Sequence, residues 1–192
     1  RLHTPPLADV IQQHYELVLV DVGFLDTGRE VLQQYGVAHF YATPTVLIID
    51  PSNGQSINDE DRDIWGNAYN IDMPTSVQYF EKWVMNDPAA DLVTFSAADS
   101  AELTRLNAQI DQFELQLAER VAVGYAVVGP MLAAYKDDNV PENFDASWNE
   151  LRDFRMAIPN GIRELRVDAR QRVSAGEKDI KLTFPEYPLL SW

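Results

Sequence analysis

Tyr41-Ala42-Thr43-Pro44-Thr45-Val46-Leu47-Ile48-Ile49-Asp50 is the stretch on which the fold turns. Pro44 stands directly before a run of β-branched and aliphatic residues, and Asp50 with Pro51-Ser52-Asn53-Gly54 closes that run as a turn. Proline has no N–H to donate, so at a strand's first residue it serves a local purpose. A cis bond between Thr43 and Pro44 is expected here. It would bend the chain into the strand and leave Thr43's main chain free at the sheet's rim. The run is apolar throughout rather than alternating, which predicts a strand buried on both faces.

Upstream, Leu7, Val10 and Ile11 lie at helical spacing, so residues 6–14 read as a helix with prolines in its first turn. Residues 17–22, Leu-Val-Leu-Val-Asp-Val, form a short apolar strand. Asp26 is a fair N-cap for a helix whose inner face is Val31, Leu32 and Tyr35 and which Gly36 stops. Downstream, Ile64-Trp65 reads as a short strand, and Thr75 caps a helix over 76–86 with Val77, Phe80 and Val84 inward. The resulting order is helix, strand, helix, strand, strand, helix. It predicts an α/β fold, a mixed sheet with helices on both sides whose first strand is missing.

From Ala97 the composition changes. Leu103, Leu106, Ile110, Phe113 and Leu117 step by three and four, a heptad-like seam on a long helix over 100–135. About two heptads favour packing within the chain over an intermolecular coiled coil. Gly129-Pro130 should kink or split that helix, and Pro159 should break the next one, which starts at Asp145 and resumes to Gly176. The tail, 180–192, is expected to be extended. The domains are therefore 1–90 and a helical extension, 97–192. The apolar 121–134 stretch must be covered, and the extension is expected to form a homodimer or select a partner.

Composition narrows the function. With 46% apolar residues the chain can build a core. A net charge of −15, from 30 acidic and 15 basic side chains, repels phosphate backbones and anionic lipid surfaces. The 121–134 stretch is too short to span a bilayer and holds Gly124, Gly129 and Pro130. Neither nucleic acid nor membrane is an expected partner. There is no cysteine, which excludes disulfides, thiolate metal sites and thiol chemistry within these residues.

The first 86 residues resemble the thioredoxin superfamily, in its extracytoplasmic disulfide-isomerase-like branch. The resemblance rests on the 17–22 strand, the helix ending in Tyr35-Gly36-Val37, the Thr43-Pro44-Thr45 turn opening a strand, and the following Gly66 and closing helix. It implies a thioredoxin-like sheet and thiol–disulfide exchange on a protein or peptide substrate carrying a disulfide, in a periplasmic or secreted setting. It places Cys-x-x-Cys just upstream of Arg1, if Pro5 is the proline that commonly kinks the first helix of that family. No catalytic residue then lies in this chain. By the same resemblance Thr43 offers its backbone to an extended substrate, Pro44 packs beside the cysteines, and Gly66 lines the same groove. No cofactor is implied.

Other constellations are weaker. His3, His14 and His39 lack metal-ligand spacing, so no metal site is read from them. The acidic stretch 58–63 lacks a calcium-loop glycine and reads as a solvated turn. No nucleophile elbow, phosphate loop or dinucleotide fingerprint is present. Two other function classes stay open. The chain could be a redox-inert module that binds peptides or scaffolds an assembly, or the helical half could be the working part on an α/β platform.

Overall fold

The computed structural model describes residues 2–59, 61, 62, 64, 65, 71–85 and 96–192. Its elements are α1 (Leu7–His14), α2 (Arg29–Gln34), β1 (Ile49–Asp50), β2 (Gln55–Ser56), α3 (Met73–Met85), α4 (Ala97–Lys136) and α5 (Phe144–Ser174). The protein is mostly helical, and among the described residues there is one sheet, of two strands, so the thioredoxin-like mixed α/β fold is not the fold observed. The reason is pairing. Residues 17–20 have strand composition, but among the described residues their backbone makes no hydrogen bond. Apolar β-branched runs become sheet only when a neighbour accepts their N–H and C=O groups. The latter part of the 45–50 run finds one: Ile49 pairs with Ser56 and Asp50 with Gln55, antiparallel across the 51–54 turn, and the Ile48 carbonyl accepts from Ile57 N–H at 2.9 Å.

The chain divides into two compact units, and the boundary differs from the expected one near residue 90. Unit 1 is Arg1–Asp21 with Ala42–Val93, and unit 2 is Val22–Tyr41 with Thr94–Trp192. The expected second helix, observed as α2, thus belongs with the long helices.

In unit 1, α1 packs on α3. Leu7 and Ile11, one helical turn apart, bury against a core that includes Ile48, Trp65, Phe80 and Trp83. Trp65 is at the centre of this core rather than on a strand. Asp72 caps α3 through its carboxylate, which accepts from the Thr75 N–H at 2.8 Å, so the cap falls three residues before the expected Thr75. The extended backbone ahead of β1 is held by a side chain in place of a strand. Buried Asn58 accepts from Ile48 N–H at 2.8 Å and donates to the Val46 carbonyl at 2.9 Å and to the Tyr79 hydroxyl at 2.8 Å. A carboxamide so placed repeats the donor–acceptor pair of a neighbouring peptide group.

In unit 2, α4 and α5 form an antiparallel pair. The seam residues Leu106, Ile110 and Leu117 are buried there with Leu151, Phe154 and Ile158, each worth about 1.5–3 kcal/mol on full burial. Ser96 caps α4, its hydroxyl accepting from Asp99 N–H at 3.2 Å. Both helices run through the prolines expected to interrupt them, Pro130 and Pro159. A proline costs a helix one backbone bond, but packed residues lie on both sides of each: buried Ile158 and Ile162 flank Pro159, and buried Val128 precedes Pro130 while the partly buried Met131 and Leu132 pack on the same core just after it. By length and composition α4 could also cross a membrane, contrary to the shorter apolar stretch read from the sequence. Within unit 2 its apolar face is used otherwise, with Val121, Tyr125 and Val128 in the core. The tail lies extended along the pair, with Ile180 buried, Phe184 tilted on Phe113 at 4.7 Å, and Arg105 donating to the Ile180 carbonyl at 2.9 Å.

Residues 22–41 complete the unit 2 core. Phe40 stacks on Tyr125 at 5.0 Å, and the Tyr125 hydroxyl donates to the Phe40 carbonyl at 3.0 Å. Arg155 is buried, and among the described residues it has no carboxylate partner. It donates to the Tyr41 carbonyl at 2.8 Å and lies over the Trp148 and Tyr125 rings at 5.6 and 5.8 Å. Carbonyl and ring faces offset the cost of burying that cation.

Candidate functional site

The Thr43–Pro44 bond is cis, and both residues are exposed in a bend. The Thr45 hydroxyl closes the bend by donating to the Ala42 carbonyl at 2.7 Å. Gly66, the third residue assigned to a substrate groove, lies outside the described residues. Thr43 and Pro44 are not among the residues that line the groove along α1.

That groove follows from the end of α1. Tyr15 leaves the helix in an extended conformation, φ −132° and ψ 149°, and the chain turns directly into residues 16–21. Leu17 and Leu19, together with Leu2, His3, Ala8, Ile11, Gln12 and Tyr15, line a groove of about 450 Å³ along α1. Side chains alternate along extended backbone, so Val18 and Val20 fall on the opposite face. Tyr15 forms a fixed wall. Its hydroxyl donates to the Phe80 carbonyl at 2.7 Å, its ring meets Phe80 edge-on at 5.5 Å, and burial pushes its pKa up to about 12.

Exposure sets this segment apart. Leu17, Val18, Leu19 and Val20 are 41, 72, 70 and 44% exposed. Isolated exposed aliphatics are ordinary, but four in a row on both faces of extended backbone are not. Their N–H and C=O groups are also unpaired among the described residues. An extended backbone with free donors and acceptors is a template for another strand. The sequence identified this run as a strand and missed that it is uncovered. The available signal was the pair of acids around it, Glu16 and Asp21, which suit an edge better than a buried centre.

The remaining candidates separate. His3 is at the groove, His14 is exposed at the end of α1, and His39 is buried in unit 2. Among the described residues no cluster of three His, Asp or Glu side chains is placed to hold a metal. Burial, helped by the Arg29 guanidinium, pushes the His39 imidazole down to about pKa 4, and its Nδ1 has no hydrogen-bond partner among the described residues. It is a neutral aromatic wedge, edge-on to Phe40 at 4.7 Å and to Tyr125 at 5.1 Å.

No protein-family model matches this chain, and neither a curated protein nor a solved structure matches it.

Proposed function

We propose that unit 1 is a binding module that takes up an extended polypeptide segment by strand addition at residues 17–20. The observation that carries this is the row of four exposed aliphatic residues whose main-chain groups are unpaired. Strand addition supplies hydrogen bonds from the incoming main chain, while alternate side chains read its sequence. Here Leu17 and Leu19 present the groove along α1 to every second residue of the incoming strand. The side chains around the groove are aliphatic apart from one amide, one phenol and one imidazole, which suits binding better than covalent chemistry.

Hydrogen exchange on the full chain tests the reading. A synthetic peptide of alternating aliphatic residues should slow exchange of the amides at 17–20. Leu19→Pro, which removes one donor from the edge, should weaken binding about tenfold or more. Exchange at 17–20 unchanged by saturating peptide would remove the proposal.

A second reading is thiol–disulfide exchange at the Thr43–Pro44 bend. Its support is the exposure of both residues together with the sequence pattern around them. It needs a thiol that these 192 residues do not contain. Insulin reduction by the natural protein, lost on alkylation of its thiols, is the corresponding measurement; no reduction counts against it.

A further inference from the structure

The tail lies on the α4–α5 pair as a peptide lies in a groove. Among the described residues no backbone–backbone hydrogen bond involves residues 178–192. Helix side chains take the tail's main-chain groups instead. Arg105 donates to the Ile180 carbonyl at 2.9 Å, Arg172 to the Lys181 carbonyl at 3.1 Å, and Arg120 to the Pro188 carbonyl. Glu150 accepts from Ser191 N–H at 2.8 Å. Beyond buried Ile180, the tail's Leu182, Phe184, Tyr187, Leu190 and Trp192 pack on the helix core while staying partly exposed. Main-chain capture combined with seats for spaced side chains is how extended peptides are bound.

The helices are shaped for this occupant. Phe184 tilts on Phe113 at 4.7 Å, and Tyr187 meets Phe154 edge-on at 5.9 Å. Glycine weakens a helix interior, yet Gly161 stands inside α5. A Cβ built there would collide with the Tyr187 hydroxyl and touch Pro185 at 3.5 Å. Pro185 and Pro188 fix φ at two positions of the tail, which lowers the entropy lost when it docks. The connection to α5 is built to move. Residues 175–179 are all exposed, with positive φ at Gly176 and Asp179. Lys178 ties them to Asp99 on α4 at 3.2 Å, an exposed ion pair of the kind that contributes little.

We propose that the α4–α5 groove also accepts this segment from a second copy of the chain, so that two copies exchange tails about the 175–179 connection and close as a dimer. The complementarity between tail and groove is the same within one chain as between two, so exchange trades identical contacts. On its own chain a tail has an effective concentration on the order of mM, which keeps dilute protein closed on itself. Exchange takes over when a chain's own tail is held off its groove.

Two full-length variants test this by complementation. Phe184→Ser with Tyr187→Ser weakens the tail and leaves the groove intact. Gly161→Leu fills the groove and leaves the tail intact. Each alone should sediment as a monomer. Mixed at about 0.1 mM, below the ~mM effective concentration of a tail on its own chain, they should form a one-to-one complex of about twice the monomer mass. Chymotrypsin should trim the Gly161→Leu tail about tenfold faster than the parent's, because cleavage follows the open population, and mixing should slow that cut. A mixture that stays monomeric while its tails are cut freely would overturn the exchange, and so would either variant associating with itself. Tails as resistant as the parent's in both variants would overturn the detachable tail. Loss of amide protection across α4 and α5 in the tail-weakened variant would overturn it too, by making the tail part of the fold. If Gly161→Leu does not fold, a labelled peptide of sequence 180–192 replaces it as donor. The peptide should bind the tail-weakened variant about tenfold or more tighter than the parent, whose groove is filled from within. Equal or absent binding would overturn the proposal.

Discussion

His39 shows how one side chain's surroundings reach the behaviour of the whole chain. In the folded state its imidazole resists protonation down to about pH 4, first because it is buried and then because Arg29 stands near it. In the unfolded chain it takes up its proton near pH 6.5. Between those values the unfolded state binds more protons, so stability rises with pH through the window and is fully present above it. A displacement of this size corresponds to about 3 kcal/mol lost on acidification from pH 6.5 to 4. His39→Phe keeps an aromatic ring between Phe40 and Tyr125 and removes the titration. Urea unfolding of this variant should show a flatter stability profile over that range than the parent; identical slopes would refute the assignment. Nothing in the sequence marks His39 out from His3 and His14. Its burial depends on Tyr125, 86 positions later, and local patterning does not reach that far.

Among the elements, the helices were legible and the sheet was not. The 3–4 spacing of Leu106, Ile110 and Leu117 is a local signal, and α4 presents those residues inward as that spacing requires. Residues 17–20 carry an equally clear strand signal, but strand formation is decided by a partner that one-dimensional pattern cannot name. Pro130 and Pro159 misled in the other direction, because tertiary packing on each side outweighed a local break. The groove was half-visible: Leu17 and Leu19 were assigned to an extended element, while the loss of cover that makes them a site was not. Gly129 yields a test at this level. A Cβ built there would lie 2.5 Å from the Phe24 carbonyl oxygen, a main-chain atom that cannot rotate away. Alanine is the better helix former by about 1 kcal/mol, yet Gly129→Ala should lower stability by about 1–3 kcal/mol because the close approach is lost. A rise in thermal midpoint for this variant would show that 22–41 does not sit as described.

For the whole molecule, the instructive feature is the order in which the chain visits its two units. It contributes to unit 1, crosses to unit 2 at Val22, returns at Ala42, and crosses again at Thr94. A cut placed by composition, giving 97–192 alone, strips Phe40 and Tyr41 from the core around Tyr125 and Val128. Such a fragment should bind a hydrophobic dye and melt lower than the same fragment joined to 22–41 by a flexible linker. Equal melting temperatures would contradict the assignment of those residues to unit 2. The excursion also carries a timing problem for a ribosome. Leu25, Phe40 and Tyr41 emerge well before α4 and α5 exist, and at about 5–20 residues per second the wait is on the order of ten seconds. Throughout that interval a nascent chain displays three greasy side chains with nowhere to put them. Its yield in a cell should therefore depend on whatever shields them until the last helix is made.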